Sequence, residues 1–237
     1  YKRGDIKDRN GNILATSTVV YNMVVDAKML SKEENQEYLQ PTIDAVVKYF
    51  GLNTDDLKTS IKEHGTTSYW IAQKDISYDK VKEFKSYCNG DYAKTDLEKE
   101  QAAAVKFIYF EREYKRVYPY DTLACSVLGF ANKNNEANIG IESSYNSYLK
   151  GTEGREYGYM DADNNIETVI KEAKNGDNVV SSIDMNIQRI VQKSIKKYMN
   201  KYNPQRIAVV IADPNTGEIL AMSDDKTFDL NDPTNLD

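Results

Sequence analysis

The sequence predicts an α+β fold, with strands and helices interspersed over most of its length and a helix followed by a β-hairpin near its end. Asn10-Gly11 lies between two strand-like segments, which is the pattern of a tight hairpin. Residues 19–26, VVYNMVVD, continue as a strand because β-branched residues dominate them. Within residues 43–84, apolar side chains recur at helical spacing. Both periods along one chain favour the α+β class.

Composition restricts the classes of function. The 237 residues, 40% hydrophobic and 29% charged, are typical of a globular chain with room for a sizeable core. The formal net charge of −6 argues against a surface that follows nucleic-acid phosphates, so nucleic acid is not expected as a partner. No apolar run approaches the ~18 residues of a membrane span. The chain starts at Tyr1 rather than Met, so we expect an N-terminal segment to precede it.

The first half of the chain is predicted to alternate helices with short strands. Ser31 and Glu34 have the spacing of a capping box, so a helix is expected to open there, and Pro41 is expected to start a second one. Gly51 is expected to end that second helix. Three more elements follow: a helix capped by Thr54 and ended by Gly65, a strand over residues 69–72, and a helix capped by Ser77.

The next part is predicted to be more irregular. Residues 88–104 are polar and are expected to form a surface excursion. Residues 106–118 interleave aromatic and charged side chains as in a long strand, which serves either as an interaction surface or as packing with an exposed rim. Short helices are expected over residues 123–130 and 141–150, and strand-like pieces in the glycine-containing stretch 151–180.

A second domain is predicted to begin at residue 179, after a change of character near residues 174–177. Asp184 is expected to cap a helix with an apolar face. That face comprises Ile187, Ile190, Val191, Ile195, Tyr198, Met199 and Tyr202. Residues 207–212 are interpreted as a buried strand, and Pro214 and Gly217 as a turn leading into a second strand over residues 218–222.

Five segments, in order, carry a resemblance to one family. They are residues 3–15 (resembling RGxIxDRNGxxLA), 116–129 (RxYP and a helix), 140–154 (GxE...Y...L.G..G), 182–188 (TIDxxIQ) and 213–233 (a hairpin and FDxNxP). These motifs resemble those of the class B penicillin-binding proteins, the transpeptidases of bacterial cell-wall synthesis. The departures are mild: Ser182 replaces a threonine, Ser126 stands where histidine is common, and residues 88–104 have no clear counterpart.

The resemblance implies a function for each part of the chain. Residues 1–178 would form the pedestal or dimerisation domain, an elongated non-catalytic module, and residues 179–237 the first helix and hairpin of a transpeptidase domain. The parent would be an extracytoplasmic enzyme with a membrane anchor, joining peptide stems of peptidoglycan through an acyl-serine intermediate. Its implied partners are peptidoglycan and a membrane-embedded glycan polymerase. The alternative is a non-enzymatic scaffold or binding module that keeps the pedestal.

No catalytic residue is predicted within the chain. The family uses a serine activated by a lysine one helical turn later, completed by SxN and KTG elements. The pattern SxxK occurs at residues 77–80, 147–150, 194–197 and 223–226, about as often as chance allows. Its contexts fit a helix cap, a helix end, a core-facing serine and a lysine kept protonated by neighbouring acids. No KTG or KSG triplet exists in the sequence, and the SxN at residues 144–146 falls in the pedestal.

No metal site and no cofactor are predicted. Cys88 and Cys125 show no CxxC spacing and are interpreted as small buried residues. His64, the single histidine, precedes Gly65 and is interpreted as a surface residue in the last turn of a helix.

Ten residues are predicted to form a structural and interaction site. They are Arg3, Gly4, Asp8, Arg9, Gly11, Arg116, Tyr118, Pro119, Gly140 and Glu142. The five charged members are expected to form a network that ties the opening hairpin to the strand at Arg116 and the helix at Glu142. Two interpretations remain open: the network passes movement of the pedestal to the catalytic domain, or it is structural glue without signalling.

Overall fold

The computed structural model describes residues 1–132, 136–137, 139–160 and 166–233. The chain divides into two compact units, unit 1 with residues 1–18 and 114–237, and unit 2 with residues 19–113. Unit 1 is thus built from two segments that are distant in sequence, whereas unit 2 is one continuous segment. The predicted α+β class is confirmed, because helices and strands are interspersed in the described part of the chain.

The secondary-structure elements have the following bounds. The strands are β1 (Ile6–Lys7), β2 (Ile13–Val25), β3 (Trp70–Ile76), β4 (Ile108–Val117), β5 (Arg155–Met160), β6 (Ile166–Lys171), β7 (Val179–Val180), β8 (Ala208–Ala212) and β9 (Ile219–Asp224). The α-helices are α1 (Ala27–Leu30), α2 (Gln36–Phe50), α3 (Thr54–Glu63), α4 (Tyr78–Cys88), α5 (Asp96–Ala103), α6 (Cys125–Leu128), α7 (Gly140–Ser144), α8 (Asn146–Leu149) and α9 (Met185–Tyr202). A 3₁₀ turn covers Glu33–Asn35.

The centre of unit 1 is the two-residue strand β1. Ile6 pairs antiparallel with Ala15 of β2 and parallel with Val179 of β7. The side chain of Ile6 is completely buried in an apolar cluster. Other members of the cluster are Leu14, Tyr118, Leu128, Leu149 and Leu230. The cluster therefore draws on both the opening residues and the far end of the chain.

Two further hairpins belong to unit 1. β5 pairs antiparallel with β6, and β8 pairs antiparallel with β9. Helix α9 packs on the second hairpin through Val191 and Ile195, which meet the buried Ala221. The predicted cap of α9 is confirmed, because the Asp184 carboxylate accepts hydrogen bonds from the backbone N–H groups of Asn186 and Ile187 at 2.9 and 3.2 Å.

Unit 2 is a small α+β layer with an aromatic core. β3 pairs antiparallel with the second part of β2, from Val25 opposite Trp70 to Tyr21 opposite Ile76. Phe84 lies in the core, with ring centroids 5.1 Å from Phe50 and 5.6 Å from Phe110. Aliphatic side chains from α1, α2, α3 and α4 complete this core. They include Leu30, Ile43, Val46, Leu57, Ile61 and Val81.

The helix start predicted at Ser31 is wrong. Ser31 instead ends α1, which begins after Asp26, and the Asp26 carboxylate accepts a hydrogen bond from the N–H of Met29 at 2.9 Å. Pro41 does not start a new helix either, because it lies inside α2. The cost of its missing N–H is offset by burial of the neighbouring Thr42 and Ile43, an example of tertiary packing overriding local preference.

Four other elements differ from the prediction. The cap of α3 is Asn53 rather than Thr54, and Ser77 occupies the cap position of α4 without a side-chain hydrogen bond. The strand predicted over residues 69–72 extends over Trp70–Ile76. Residues 88–104 contain the helix α5, which opens with a capping box of Thr95 and Glu98. The Thr-x-x-Glu spacing could have revealed this helix from the sequence.

Residues 123–150 form shorter helices than predicted. α6 has four residues, and the helix expected over residues 141–150 is interrupted at Tyr145 into α7 and α8. The long strand predicted over residues 106–118 is present as β4. On it, Tyr109 is exposed, whereas Phe107 just before it packs against the core of unit 2.

The apolar face predicted for α9 is only partly correct. Val191 and Ile195 are buried, but Ile190, Tyr198 and Tyr202 are exposed in the described chain. The completely buried Gln188 takes a core position instead, because its side chain hydrogen-bonds the backbone N–H and C=O of Met222 in β9. β8 is likewise not a fully buried strand. Its side chains alternate, and Val210 on the face away from α9 is 57% exposed.

Candidate functional site: a buried charge network

Glu142 stands between two arginines in the interior of unit 1. Its Oε2 accepts a hydrogen bond from Nε of Arg3 at 2.7 Å, and its Oε1 accepts one from Nε of Arg116 at 2.7 Å. The side chains of Arg3 and Glu142 are completely inaccessible to solvent, and that of Arg116 is 3% exposed. Bonds of this length between buried ions are charge-assisted and strong, since little water competes for them.

Glu142 carries one negative charge, whereas Arg3 and Arg116 together carry two positive ones. Backbone and amide oxygens offset the remaining positive charge. Arg3 donates from Nη2 to the carbonyl oxygen of Glu142 at 2.9 Å and from Nη1 to Oδ1 of Asn146 at 2.8 Å. Arg116 donates from Nη1 to the carbonyl oxygen of Gly4 at 2.7 Å. Among the described residues, Arg116 Nη2 has no hydrogen-bond partner. One carboxylate therefore holds two guanidinium groups with the help of three neutral acceptors.

Tyr118 completes the cluster from the strand side. Its hydroxyl donates to Glu142 Oε1 at 3.0 Å and accepts from the backbone N–H of Ala131 at 2.9 Å. Burial raises the pKa of Tyr118, and the charge of Glu142 raises it further. The phenol therefore stays neutral at neutral pH and acts as a hydrogen-bond donor to Glu142.

Two glycines permit the close approach of the segments that carry these side chains. A Cβ on Gly4 would lie 1.8 Å from the carbonyl oxygen of Asp177, so only glycine fits next to that backbone. Gly140, the first residue of α7, has φ +67°, and a Cβ there would lie 2.5 Å from the carbonyl oxygen of Val127. Gly4 and Gly140, two of the three glycines of the predicted site, thus serve to bring Arg3 and Glu142 within reach of each other.

Asp8 belongs to a second cluster rather than to the network around Glu142. Its Oδ1 accepts from the N–H groups of Asn10 and Asn12, and its Oδ2 accepts from the N–H of Met185 at 3.2 Å. Asp8 therefore closes the opening turn, where Gly11 has φ +85°, and it also satisfies the first N–H of α9. Burial opposes ionisation, but these hydrogen bonds, together with one that the Asn12 side chain donates to Oδ2 at 2.9 Å, lower the pKa of Asp8.

The remaining predicted residues lie nearer the surface. Arg9 is not in the buried network. Its guanidinium pairs with Glu218 at 3.4 Å, with both side chains more than a third exposed. Pro119 is exposed and follows Tyr118 directly. Five charged residues were expected to form one network, and the structure brings together three of them, Arg3, Arg116 and Glu142. The expectation was too broad because formal charge in a sequence does not specify which charges pair.

Sequence reasoning left out two amides that contribute to the site. Asn231 accepts from the N–H of Tyr118 at 3.0 Å and donates to its carbonyl oxygen at 2.9 Å and to Asp121 at 3.0 Å. Asn146, on α8, binds Arg3 as described above. Asn231 lies in the FDxNxP-like segment, so its motif was a usable signal, whereas Asn146 was noted only as part of an unused SxN triplet.

The four SxxK serines lie in unrelated places in the described structure. Ser77 and Ser147 are exposed, Ser194 is half-buried on α9 with Lys197 exposed, and Ser223 is buried in β9. His64 lies at the end of α3 with its ring stacked on Trp70 at 4.8 Å. Within the described ranges, no three His, Cys, Asp or Glu side chains converge as metal ligands.

The comparisons with known proteins establish the family. The family described as Penicillin-binding Protein dimerisation domain matches residues 2–181, and the chain belongs to this family. The matched range ends close to the predicted boundary at residue 178, whereas the compact units are divided differently.

Among the described residues, no helix combines the length and apolar character that crossing a membrane requires.

Curated relatives align with almost the whole chain. It is 26% identical over 240 residues to a probable peptidoglycan D,D-transpeptidase PenA of Neisseria meningitidis, covering 99% of this chain and 38% of that protein. It is 28% identical over 247 residues to the stage V sporulation protein D of Bacillus subtilis, covering 100% and 34%. The chain therefore spans little more than a third of the relatives that it matches.

A solved structure shows the same fold. Penicillin Binding Protein 2X from Streptococcus thermophilus superposes with a TM-score of 0.72 over 98% of this chain and 36% of that one, at 23% identity. At this level of identity the likeness supports the fold, and it is consistent with the mixed architecture described above.

Proposed function

We propose that this chain is the non-catalytic pedestal, with the first elements of the transpeptidase domain, of a longer D,D-transpeptidase that cross-links the peptide stems of peptidoglycan through an acyl-serine intermediate. One observation carries the proposal: proteins named D,D-transpeptidases align with nearly all of this chain, and the chain spans only about 38% of them. In this proposal residues 1–178 are the pedestal, and residues 179–237 begin the catalytic domain.

The charge network supports a holding role within this proposal. Arg3, Arg116 and Glu142 are buried and directly bonded, and Arg3 lies 139 residues before Glu142 in the sequence. Breaking such a network is strongly destabilising, because it leaves a charge buried without a partner. Of the two interpretations above, the geometry favours a purely structural role, in which the network holds β1, β4 and α7 in fixed relative positions.

Two contacts support the idea that the pedestal positions the catalytic part. Asp8 of the opening turn accepts from the first N–H of α9, and Asn231 brackets the peptide groups of Tyr118. Each contact joins a residue of the proposed pedestal to one of the proposed catalytic domain. We propose that these contacts, rather than a mobile network, set the position of the first catalytic elements.

The partners and location are further parts of the proposal. The parent protein would be anchored in the cytoplasmic membrane by a helix that precedes this chain, with the pedestal outside the membrane and next to a membrane-embedded glycan polymerase. Peptidoglycan would be the substrate of the parent. The names of the relatives supply the substrate class.

Labelling with a fluorescent penicillin tests the enzymatic part. We expect covalent labelling of the full-length protein and none of this 237-residue chain. Labelling of the chain itself would mean that one of the four SxxK serines is acylated. Absence of labelling in a folded full-length protein would favour the alternative of a non-enzymatic scaffold that keeps the pedestal.

Substitution of Glu142 in the full-length protein tests the holding role. With Glu142→Gln we expect a lower melting temperature together with weaker penicillin labelling, and with the exposed Glu153→Gln neither change. An unchanged melting temperature with lost labelling would show that the network passes movement to the catalytic domain, and would overturn the structural interpretation.

A further inference from the structure

Unit 2 contains a cleft whose walls are aromatic. It lies between the ends of α2 and α4 and the helix α5, and its volume is about 180 Å³. It is lined by three tyrosines, Tyr49, Tyr87 and Tyr92. Lys48 and Glu98 also line it. The rings of Tyr49 and Tyr87 lie 5.2 Å apart between centroids at an angle of 37°. None of these residues takes part in the charge network of unit 1.

The cleft already holds an ammonium group of the chain itself. Nζ of Lys48 lies 5.2 Å from the ring centroid of Tyr49 and 5.1 Å from that of Tyr87. Both distances are within the range of cation–π attraction, and sets of aromatic rings around an ammonium group are a known recognition device. Lys48 is an exposed residue, so this ammonium group is in contact with solvent and can be displaced.

The surroundings add to the preference for a cation. Burial raises the pKa of both Tyr49 and Tyr87, so the two rings offer neutral, electron-rich faces. Hydrogen bonds from the backbone N–H groups of Lys94 and Thr95 lower the pKa of Glu98, which keeps a negative charge at the edge of the cleft. Tyr92 is 57% exposed and forms the open wall, where no described side chain covers it completely.

We propose that this cleft is a binding site for the side chain of a lysine in a basic segment of a partner protein, with Lys48 as its intrachain occupant. The occupant defines the ligand, because the group that now lies against both rings is a lysine ammonium. The charge of the surface defines the partner, because acidic side chains outnumber basic ones in unit 2 and attract a segment of the opposite sign. The proposal does not depend on the proposed function of the parent.

A titration of the 237-residue chain tests the ligand chemistry. With ¹³C-labelled tyrosine rings, N-acetyl-lysine amide should shift the Tyr49 and Tyr87 signals in a saturable way. N-acetyl-norleucine amide, which has a similar alkyl chain and no charge, should not shift them at matched ionic strength. Equal shifts with both compounds would overturn the proposal, since they would show apolar contact without recognition of a cation.

Ring substitutions test the location. Tyr92→Leu, at an exposed position, and Tyr87→Leu should each weaken binding of the lysine amide, whereas Tyr87→Phe, which keeps the ring, should leave it nearly unchanged. Lys48→Met removes the internal competitor and should tighten binding roughly two- to fivefold, the worth of an exposed cation–π contact. Binding unaffected by both leucine variants, or not improved by Lys48→Met, would contradict the assignment.

A final comparison tests the source of the lysine. A hexalysine peptide should bind more tightly than the single lysine amide, because its flanking charges are attracted by the excess of acidic side chains in unit 2. Equal affinity per molecule would overturn the assignment to a protein segment, and would point to a small amine as the ligand.

Discussion

Glu142 in unit 1 and Phe84 in unit 2 are both almost inaccessible to solvent, and their surroundings differ in kind. Glu142 is held by charged and polar groups at defined distances, two of them 2.7 Å. Phe84 is surrounded by the rings of Tyr49, Phe50 and Phe110, at centroid distances of 5.1 to 5.9 Å. The core of unit 1 therefore combines an apolar cluster with directional bonds, whereas the core of unit 2 depends on apolar contact.

The difference follows the way each unit is assembled. Unit 2 is one continuous segment, so short connections already restrict how its helices meet. Unit 1 combines residues 1–18 with residues 114–237, so bringing its two segments together costs loop-closure entropy that the local contacts of unit 2 do not incur. We infer that the directional bonds of Arg3 and Arg116 to Glu142 help to fix how these segments meet.

The largest effect is expected at the centre of unit 1. Glu142→Gln leaves two buried guanidinium groups without a counter-charge, and it should lower the free energy of unfolding by about 3–5 kcal/mol. Native-state hydrogen exchange should show faster exchange in β1 and α7, with little change in unit 2. Slower or unchanged exchange in β1 would break the proposed contrast between the two units.

The matching change in unit 2 is Leu30→Ala. Leu30 is completely buried, and its truncation leaves a cavity that should cost about 2–5 kcal/mol. Because the contacts of unit 2 are apolar and local, hydrogen exchange should accelerate in α1, α2 and α3 and stay slow in β1. Equal acceleration in both units would indicate one cooperative core instead of two.

A smaller effect is expected for Asn231→Ala. The change removes hydrogen bonds to both peptide groups of Tyr118 and to Asp121, and should cost about 1–3 kcal/mol. Denaturant unfolding measures this cost, with Asn215→Ala in the exposed turn between β8 and β9 as a control. A loss no greater than that of the control would remove Asn231 from the set of contacts that fix Tyr118.

The smallest effect is expected for Asp8→Asn, and it should depend on pH. The pKa of Asp8 lies below its ordinary value of 3.8 in the folded state, so its carboxylate contributes stability above pH 3.8 that is lost as the pH falls through the folded pKa. Asparagine keeps an acceptor but no charge, and should cost about 1 kcal/mol at pH 6 and less at pH 3.

The control for this pH dependence is Asp55→Asn, in the first turn of α3 in unit 2. Unfolding free energies of the wild type and both variants at pH 6 and pH 3 would measure the difference. A constant cost of Asp8→Asn across this range would show that the Asp8 charge plays no part in holding the turn and α9 together.

Much of this arrangement was accessible from the sequence. The motifs drew attention to Arg3, Arg116 and Glu142, which the structure brings into direct contact, and the α+β class followed from the two hydrophobic periods. Which arginine pairs with Glu142 was not accessible from the sequence. Arg3 and Arg9 carry the same charge, and only the fold decides which of them lies next to Glu142. Gln188 in the core of α9 was missed for a similar reason, since its partner is the backbone of β9.

Local signals failed where packing competes with them. Ser31 and Glu34 have capping-box spacing but lie at the end of α1 and in the 3₁₀ turn, because Asp26 already caps α1. Thr95 and Glu98 have the same type of spacing and do open a helix. The two cases differ in the residues that precede the pattern: Ser31 follows a helix that Asp26 already caps, whereas Thr95 opens a helix of its own. A four-residue pattern does not describe this context.

The split of unit 1 around unit 2 also imposes an order of events during synthesis. Arg3 leaves the ribosome 139 residues before Glu142, and all of unit 2 lies in between. Unit 2 can fold as soon as it has emerged, whereas the Arg3 side chain has to stay hydrated, without its final partner, until Glu142 arrives. A charged opening segment is favourable during this interval. A segment with guanidinium groups exposed to water is far less prone to aggregation than an unpaired apolar strand exposed for the same time.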